Sequence, residues 1–257
     1  IPGHTVIMPS RPIVLFTDFG YEGPYVGQMK SVLNHLAPDA PIIDLMHDVP
    51  HHRIQAGSYL LGALFEDCPP NSVVVAVVDP GVGSDQREPV MLKVADKWIV
   101  GPGNGLFSNV VHRTTGVEAS VITWRPERLS ASFHGRDIFA PVAAQISCGQ
   151  LPANQACDVS TVANLDWPLD LSEVIYIDAF GNAMTGRRAT TISGDEDIRI
   201  GDVTLARAPT FADVSPGVAM WYENSLGLAE IAVNQGRADQ EFMLSIGSSV
   251  STAKSKA

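Results

Sequence analysis

Residues 73–83 read Val73-Val74-Val75-Ala76-Val77-Val78-Asp79-Pro80-Gly81-Val82-Gly83. An almost unbroken β-branched run without polar alternation is what a strand buried on both faces requires, and such strands belong to parallel sheets covered by helices. The run stops at Asp79, where Pro80, Gly81 and Gly83 force a sharp turn. Upstream the same pattern occurs twice more. Ile13 to Phe19 is a short apolar run ending in a polar turn, and Val26, Met29, Val32, Leu33 and Leu36 then fall on one helical face, with Pro24 suited to the first turn. Ile42 to Met46 leads through His47-Asp48-Val49-Pro50 into a segment that places Ile54, Gly57, Leu61, Leu64 and Phe65 near one face.

Downstream, Val90 to Val100 with Asp96-Lys97 at its middle reads as a hairpin, followed by the turn Gly101-Pro102-Gly103-Asn104-Gly105 and a helix through Val111. A short strand is expected near Val121, and Asp137 is placed to cap a helix running to Ser147. The composition changes at Asn164. Beyond it come short β-like runs, Val174 to Ile177, Val218 to Tyr222, Leu228 to Val233 and Phe242 to Ile246, and a tail from Ser248 expected to fray. The sequence therefore predicts an α/β protein: a mostly parallel N-terminal sheet with flanking helices over 12–164, a linker at 165–172, and a smaller β-barrel domain over 173–257.

Composition narrows the partners. The 257 residues are 45% apolar, and 28 acidic side chains exceed 17 basic ones by 11, with no Lys/Arg block. That balance opposes nucleic acid and anionic membranes and favours a small-molecule partner. Cys68, Cys148 and Cys157 show neither zinc-ligand spacing nor an even count, which fits a reducing cytoplasm. Ile1 to Arg11 lacks an apolar signal core, and no apolar run approaches membrane-spanning length.

Ligands of parallel sheets lie beyond the carboxyl ends of the strands. Three polar turns occupy that position, Thr17-Asp18-Phe19-Gly20, His47-Asp48 and Asp79 to Gly83. A carboxylate there can accept from both hydroxyls of a ribose diol, or serve only as a cap or turn former. The cluster Ser132-Phe133-His134-Gly135-Arg136-Asp137 adds an imidazole, the side chain suited to proton exchange near neutral pH.

Thr17 to Gly20, Asp79 to Gly83, Gly101 to Gly105, Phe133 to Pro141, Phe180-Gly181-Asn182 and Asn224-Ser225-Leu226-Gly227 together make the chain resemble the S-adenosylmethionine (SAM) hydroxide adenosyltransferase family, motif by motif and in order. The same fold is shared by the SAM-dependent fluorinase and chlorinase. The resemblance implies an N-terminal α/β domain, a C-terminal β-barrel and a homotrimer with SAM sites where subunits meet. It further implies cleavage of SAM to adenosine and L-methionine by water attacking ribose C5′, without a cofactor or metal. Asp79 and His134 match the family's catalytic Asp and His. Family members carry Arg seven residues after the Asp, whereas that position is Gln86 here and the Arg follows at Arg87. In an extended strand the shift would turn Arg87 to the opposite face, so a bulge or loop must restore its direction; Arg136 is the alternative. Similarity to the fluorinase maps Asp18 onto a ribose-binding carboxylate and Asp178 onto the group holding the methionine ammonium. Asn182 and Ser225 match the amino-acid end, Phe180 and Phe211 match apolar walls, and Asn234 lies in the adenine-reading segment. Phe19, Gly135 and Asn224 join these as substrate-binding positions of their motifs.

Other readings are testable. A halogenase of this fold resembles the chain with Tyr where Asp79 stands, and a carboxylate there repels halide. A sensor would bind SAM without turnover, as the Gln86 departure allows. A metallohydrolase would draw on Asp18, Asp44, His47, His51, His52, Asp79 and His134, but Pro50 breaks the helix that would align His47 with His51.

Overall fold

The computed structural model describes residues 10–85 and 87–255. The chain divides into two compact units, one running through Ile54 and from Asp67 to Leu165, the other comprising Gln55–Glu66 and the chain from Asp166 on.

In chain order the first elements are β1 (Ile13–Thr17), α1 (Tyr25–Leu36), β2 (Ile42–Met46), α2 (Ile54–Leu64), β3 (Val73–Val77), β4 (Pro89–Val94) and β5 (Lys97–Pro102). They are followed by α3 (Ser108–Arg113), β6 (Glu118–Ile122), a π-helical turn Gly135–Phe139, α4 (Ala140–Ser147) and β7 (Asn154–Cys157). Seven strands form one sheet in the order β2-β1-β3-β5-β4-β6-β7. The pairs β1–β2, β1–β3 and β3–β5 are parallel, whereas β4 pairs antiparallel with β5 and β6, and β6 with β7. All five residues of β3 are buried, as the valine run requires. Val73, Val75 and Val77 join Ile13, Leu15, Met29, Leu33, Phe139 and Val142 in the core under α1 and α4. On α1 only Met29 and Leu33 are fully buried, and Leu36, expected on the same face, is 46% exposed.

The strand order fixes where a ligand can bind. From β1 the chain passes to β2 on one side and returns to β3 on the other, so the loops after β1 and β3 diverge at their common carboxyl end. Asp18 and Asp79 sit there, and Asp18 N–H donates to the Val77 carbonyl at 3.3 Å.

The second unit contains β8 (Leu171–Ile177), β9 (Ala183–Arg188), β10 (Glu196–Ile200), β11 (Val203–Leu205), β12 (Ala219–Glu223), β13 (Leu228–Val233), α5 (Ala238–Glu241) and β14 (Ser251–Lys254). Two antiparallel sheets, β12-β13-β9-β8 and β11-β10-β14, share a core that includes Val174, Ile198, Leu205, Trp221 and Ile231. Thus an α/β unit with a large sheet and helices is joined to a smaller all-antiparallel unit.

Several local expectations need correction. Phe242 to Ile246 is no strand: Phe242 closes α5, and Met243 takes a φ of 50°, which extended pairing forbids. The segment expected to fray contains β14, which pairs with β10. Its polar side chains hid it, because strand pairing uses backbone groups that composition does not reveal. Asp137 lies inside the π-helical turn rather than capping a helix; its Oδ2 accepts from Ser130 N–H at 2.8 Å.

Candidate functional site

The turn after β3 builds the first part of the site. Val82 N–H donates to the Asp79 carbonyl at 3.3 Å and Ser84 N–H to the Gly81 carbonyl at 3.1 Å, so the chain curls back directly after Asp79. Gly83 has a φ of +80°, and a Cβ there would stand 2.2 Å from the Ala131 carbonyl oxygen. Only glycine meets both demands, and this close approach lays the segment before His134 against the Asp79 loop. The same segment is tied from its other end by the Ser130–Asp137 hydrogen bond.

Arg87 completes the arrangement. It lies in the loop before β4 rather than in a strand, so the alternation of strand faces does not govern its direction. Its Nε donates to Asp79 Oδ1 at 3.0 Å, while Nη2 donates both to Asp79 Oδ2 and, at 3.0 Å, to His134 Nδ1. The Asp79 and Arg87 side chains are 5% and 4% exposed, so this fork is shielded from solvent. The guanidinium also lies 5.9 Å from the centroid of the Phe139 ring. Asp79, Arg87 and His134 are thus linked through one guanidinium, and Gln86 lies outside the described residues. Arg136 is occupied elsewhere, donating to both oxygens of Asp137 at 2.6 and 2.9 Å and to Gln28.

Electrostatics set the protonation of the imidazole. Burial, then the positive charge of Arg87, push the His134 pKa below its ordinary 6.5. A guanidinium can only donate, so Nδ1 is the acceptor and the proton of the neutral ring sits on Nε2. Arg87 and His134 also line a cleft of about 370 Å³ with Gly83, Arg125, Leu129 and Ala131.

Other expected residues of the first unit lie nearby. Asp18 Oδ2 accepts from His52 N–H at 3.1 Å. Phe19 packs edge-on against Phe133 at 5.8 Å and beside Tyr25 at 6.1 Å, lining a second cavity of about 390 Å³. Gly135 is buried under these rings, and a Cβ there would come within 3.3 Å of Phe19 and Met29.

The remaining expected residues belong to the second unit. Asp178 accepts from Phe180 N–H and Asn182 N–H, each at 2.9 Å, and from Asn182 Nδ2 at 3.0 Å, which closes the turn between β8 and β9. The Phe180 ring is 76% exposed. Asn224 Oδ1 accepts from Leu226 N–H and Leu228 N–H, forming the turn that carries the exposed Ser225. Phe211 packs on Tyr222 at 5.3 Å, and Asn234 Nδ2 is engaged by the carbonyls of Phe211 and Val214.

One group escaped the sequence reading, Glu230, and another, His47, was named in a polar turn without the partners that hold it. Buried Glu230 accepts from Tyr222 Oη at 2.7 Å and Asn224 Nδ2 at 2.6 Å, and burial raises its pKa. Buried His47 bonds Thr17 and Asp44. A lone Glu inside an apolar run of β13 was the available signal for the first; the second depends on pairing between strands, which no local pattern displays. Among the described residues no three His, Cys, Asp or Glu side chains are grouped to hold a metal ion.

Comparison with known proteins places this geometry in context. Residues 13–156 match the SAM hydroxide adenosyltransferase N-terminal domain and residues 172–251 the corresponding C-terminal domain. The chain is 35% identical over 255 residues to the (R)-S-adenosyl-L-methionine hydrolase of Thermus thermophilus, covering 92% of this chain and 97% of that protein. The hydrolase of the same name from Salinispora arenicola is 35% identical over 246 residues, covering 90% and 94%. A fluorinase from Nocardia brasiliensis is more distant, 24% identical with 93% and 96% covered. An uncharacterized conserved protein from Thermotoga maritima superposes with a TM-score of 0.80 at 31% identity, covering 94% of this chain and 100% of the other.

Proposed function

Since the chain belongs to the SAM hydroxide adenosyltransferase family, we propose that it hydrolyses SAM to adenosine and L-methionine by in-line attack of water on ribose C5′. The observation that carries the catalytic part is the Asp79–Arg87–His134 constellation, a buried carboxylate–guanidinium fork bonded to a half-buried imidazole.

The roles follow from donor and acceptor counting. Each carboxylate oxygen of Asp79 gives one lone pair to Arg87 and keeps another, so the pair can accept a hydrogen from the attacking water. Arg87 holds the carboxylate in one orientation and supplies positive charge where hydroxide character develops. His134, neutral with its hydrogen on Nε2, orients the water by donating to its oxygen. As the C–S bond breaks, the sulfonium becomes the neutral thioether of methionine, the water oxygen bonds to C5′, and its lost proton leaves through Asp79. Holding the oxygen about 3 Å from the carbon removes much of the entropic barrier. Asp18, Phe19 and Gly135 are assigned to the adenosyl group. Asp178, Asn182, Asn224 and Ser225 are assigned to the amino-acid end, Phe180 and Phe211 to the walls, and Asn234 to adenine.

No cofactor enters this reaction. The assembly we propose is a homotrimer with its sites at subunit interfaces, supported by large apolar side chains left open on the second unit, Phe180 at 76% and Met243 at 88% exposed. Sedimentation as a three-chain species supports it; a single-chain species removes it. We place the reaction in the cytoplasm, supported by Cys68, Cys148 and Cys157 being outside any disulfide. No helix among the described residues is long and apolar enough to cross a membrane.

The deciding experiment is turnover of SAM in ¹⁸O-labelled water with chloride present. Label in the adenosine 5′-hydroxyl with free methionine is expected. A 5′-chlorinated nucleoside at comparable rate would replace the hydrolase by a halogenase, binding without product would leave a sensor, and loss of activity on chelation would bring in a metal.

A further inference from the structure

Asp18 is held by more than its own loop. In the pairing of β1 with β2 the register shifts by one residue between Leu15 and Phe16, so Leu15 faces Asp44 while Phe16 faces Met46. The bulge re-aims the end of β2 toward the loop after β1. From there residues 47–52 grip that loop at four points. Gly20 N–H donates to the His47 carbonyl at 2.6 Å, and Val49 N–H to the Thr17 carbonyl at 3.3 Å. Thr17 Oγ1 meets His47 Nδ1 at 2.8 Å, and His52, held at a φ of 61°, donates its N–H to Asp18 Oδ2 at 3.1 Å.

The side-chain bonds run in one direction. Asp44 Oδ1 can only accept, so His47 Nε2 is the donor to it, at 3.1 Å, and Nδ1 is left to accept from the Thr17 hydroxyl, whose oxygen in turn accepts from Phe19 N–H at 3.3 Å. The other oxygen of Asp44 accepts from Lys30 Nζ at 2.9 Å. No donor faces a donor anywhere along this chain, and such aligned bonds reinforce one another. His47 is 1% and Thr17 0% exposed, so neither can touch a ligand. An apolar side chain could fill the same space without desolvating an imidazole, so the polar chain needs a reason beyond packing.

We propose that His47 is a positioning residue: through Thr17 and the 47–52 loop it fixes the Asp18 carboxylate in the orientation that accepts from both hydroxyls of a vicinal diol. The inference rests on Asp18 being the diol-binding carboxylate. Bidentate recognition is the part most sensitive to orientation, because both oxygens must meet hydroxyls at once. His47 therefore governs discrimination between a ribose and a 2′-deoxyribose more than it governs the chemical step.

The test compares adenosine and 2′-deoxyadenosine as competitive inhibitors, with KM and kcat for SAM and the unfolding midpoint, in Thr17→Val, His47→Leu, His47→Asn and Asp18→Asn. The wild type should prefer adenosine by about tenfold or more, the equivalent of one or two hydrogen bonds. Thr17→Val and His47→Leu should cut that preference to about threefold or less and raise KM about tenfold, with a smaller change in kcat. His47→Asn, which keeps an acceptor where Nδ1 stood, should restore most of the preference. A folded Thr17→Val that keeps the preference overturns the inference, even if its unfolding midpoint falls, and this variant decides the matter should His47→Leu fail to fold. When Asp18→Asn collapses the preference and Thr17→Val does not, only the role of His47 is lost. A preference that survives Asp18→Asn removes the diol assignment and the positioning role with it.

Discussion

The hydrogen that Arg87 gives to Nδ1 of His134 decides which end of the imidazole can act. Protonation would put a hydrogen on Nδ1 facing the guanidinium, so acid breaks the contact as well as charging the ring. Because burial and Arg87 lower this pKa, kcat/KM should hold down to pH 6.5 and fall only below it. Replacing Arg87 by Gln removes a positive neighbour, so the acid limb of the pH–rate profile should move upward, and kcat should fall about 10²- to 10³-fold. An acid limb that stays in place would separate His134 from Arg87. The same shift bears on stability. Between the lowered pKa and 6.5 the unfolded chain binds more protons than the native one, so His134 makes the fold less stable as pH falls through that window. Asp79 and His134 were legible as residue types in motifs. Arg87 was named at its offset position, but its direction was not legible, because a one-residue offset is harmless in a loop and fatal in a strand, and only the folded turn shows which applies.

Among the elements, the long apolar strands announced themselves and the short polar ones did not. β3 and β13 are buried throughout and were readable as apolar runs, that of β13 broken only by Glu230. β7, β10, β11 and β14 mix exposed and polar residues and are defined by their partners. Removing residues from Ser251 onward should lower the unfolding free energy by about 1–3 kcal/mol, since each lost backbone hydrogen bond contributes about 1 kcal/mol. Urea denaturation that shows no change would mean that β14 adds nothing to its sheet. The turn after β3 is equally exacting. Gly83→Ala forces a methyl group into the Ala131 carbonyl, and the segment carrying His134 must retreat. Turnover should fall at least about tenfold, since misplacement of about 1 Å can cost a hundredfold. Wild-type kcat in this variant would show that the close approach is not what positions the imidazole.

At the scale of the molecule, charge and chain path matter most. An excess of 11 negative charges should keep the protein from retarding duplex DNA in a low-salt gel-shift measurement; retardation would point to a local basic surface that the composition conceals. The two-part architecture was legible from the change in composition near Asn164, but the route of the chain was not. Nearly every residue of α2 is buried, so it offers no single apolar stripe by which its allegiance could be read, and its position before β3 suggested the first unit. It clusters instead with the second, where Tyr59 Oη donates to the Pro168 carbonyl and Glu66 pairs with Arg188 at 2.9 Å. The backbone therefore laces the units together by crossing between them more than once, rather than stringing them like beads. A protease nick near Asp166 would cut the polymer without freeing a fragment: two bands under denaturing electrophoresis, one peak in native gel filtration.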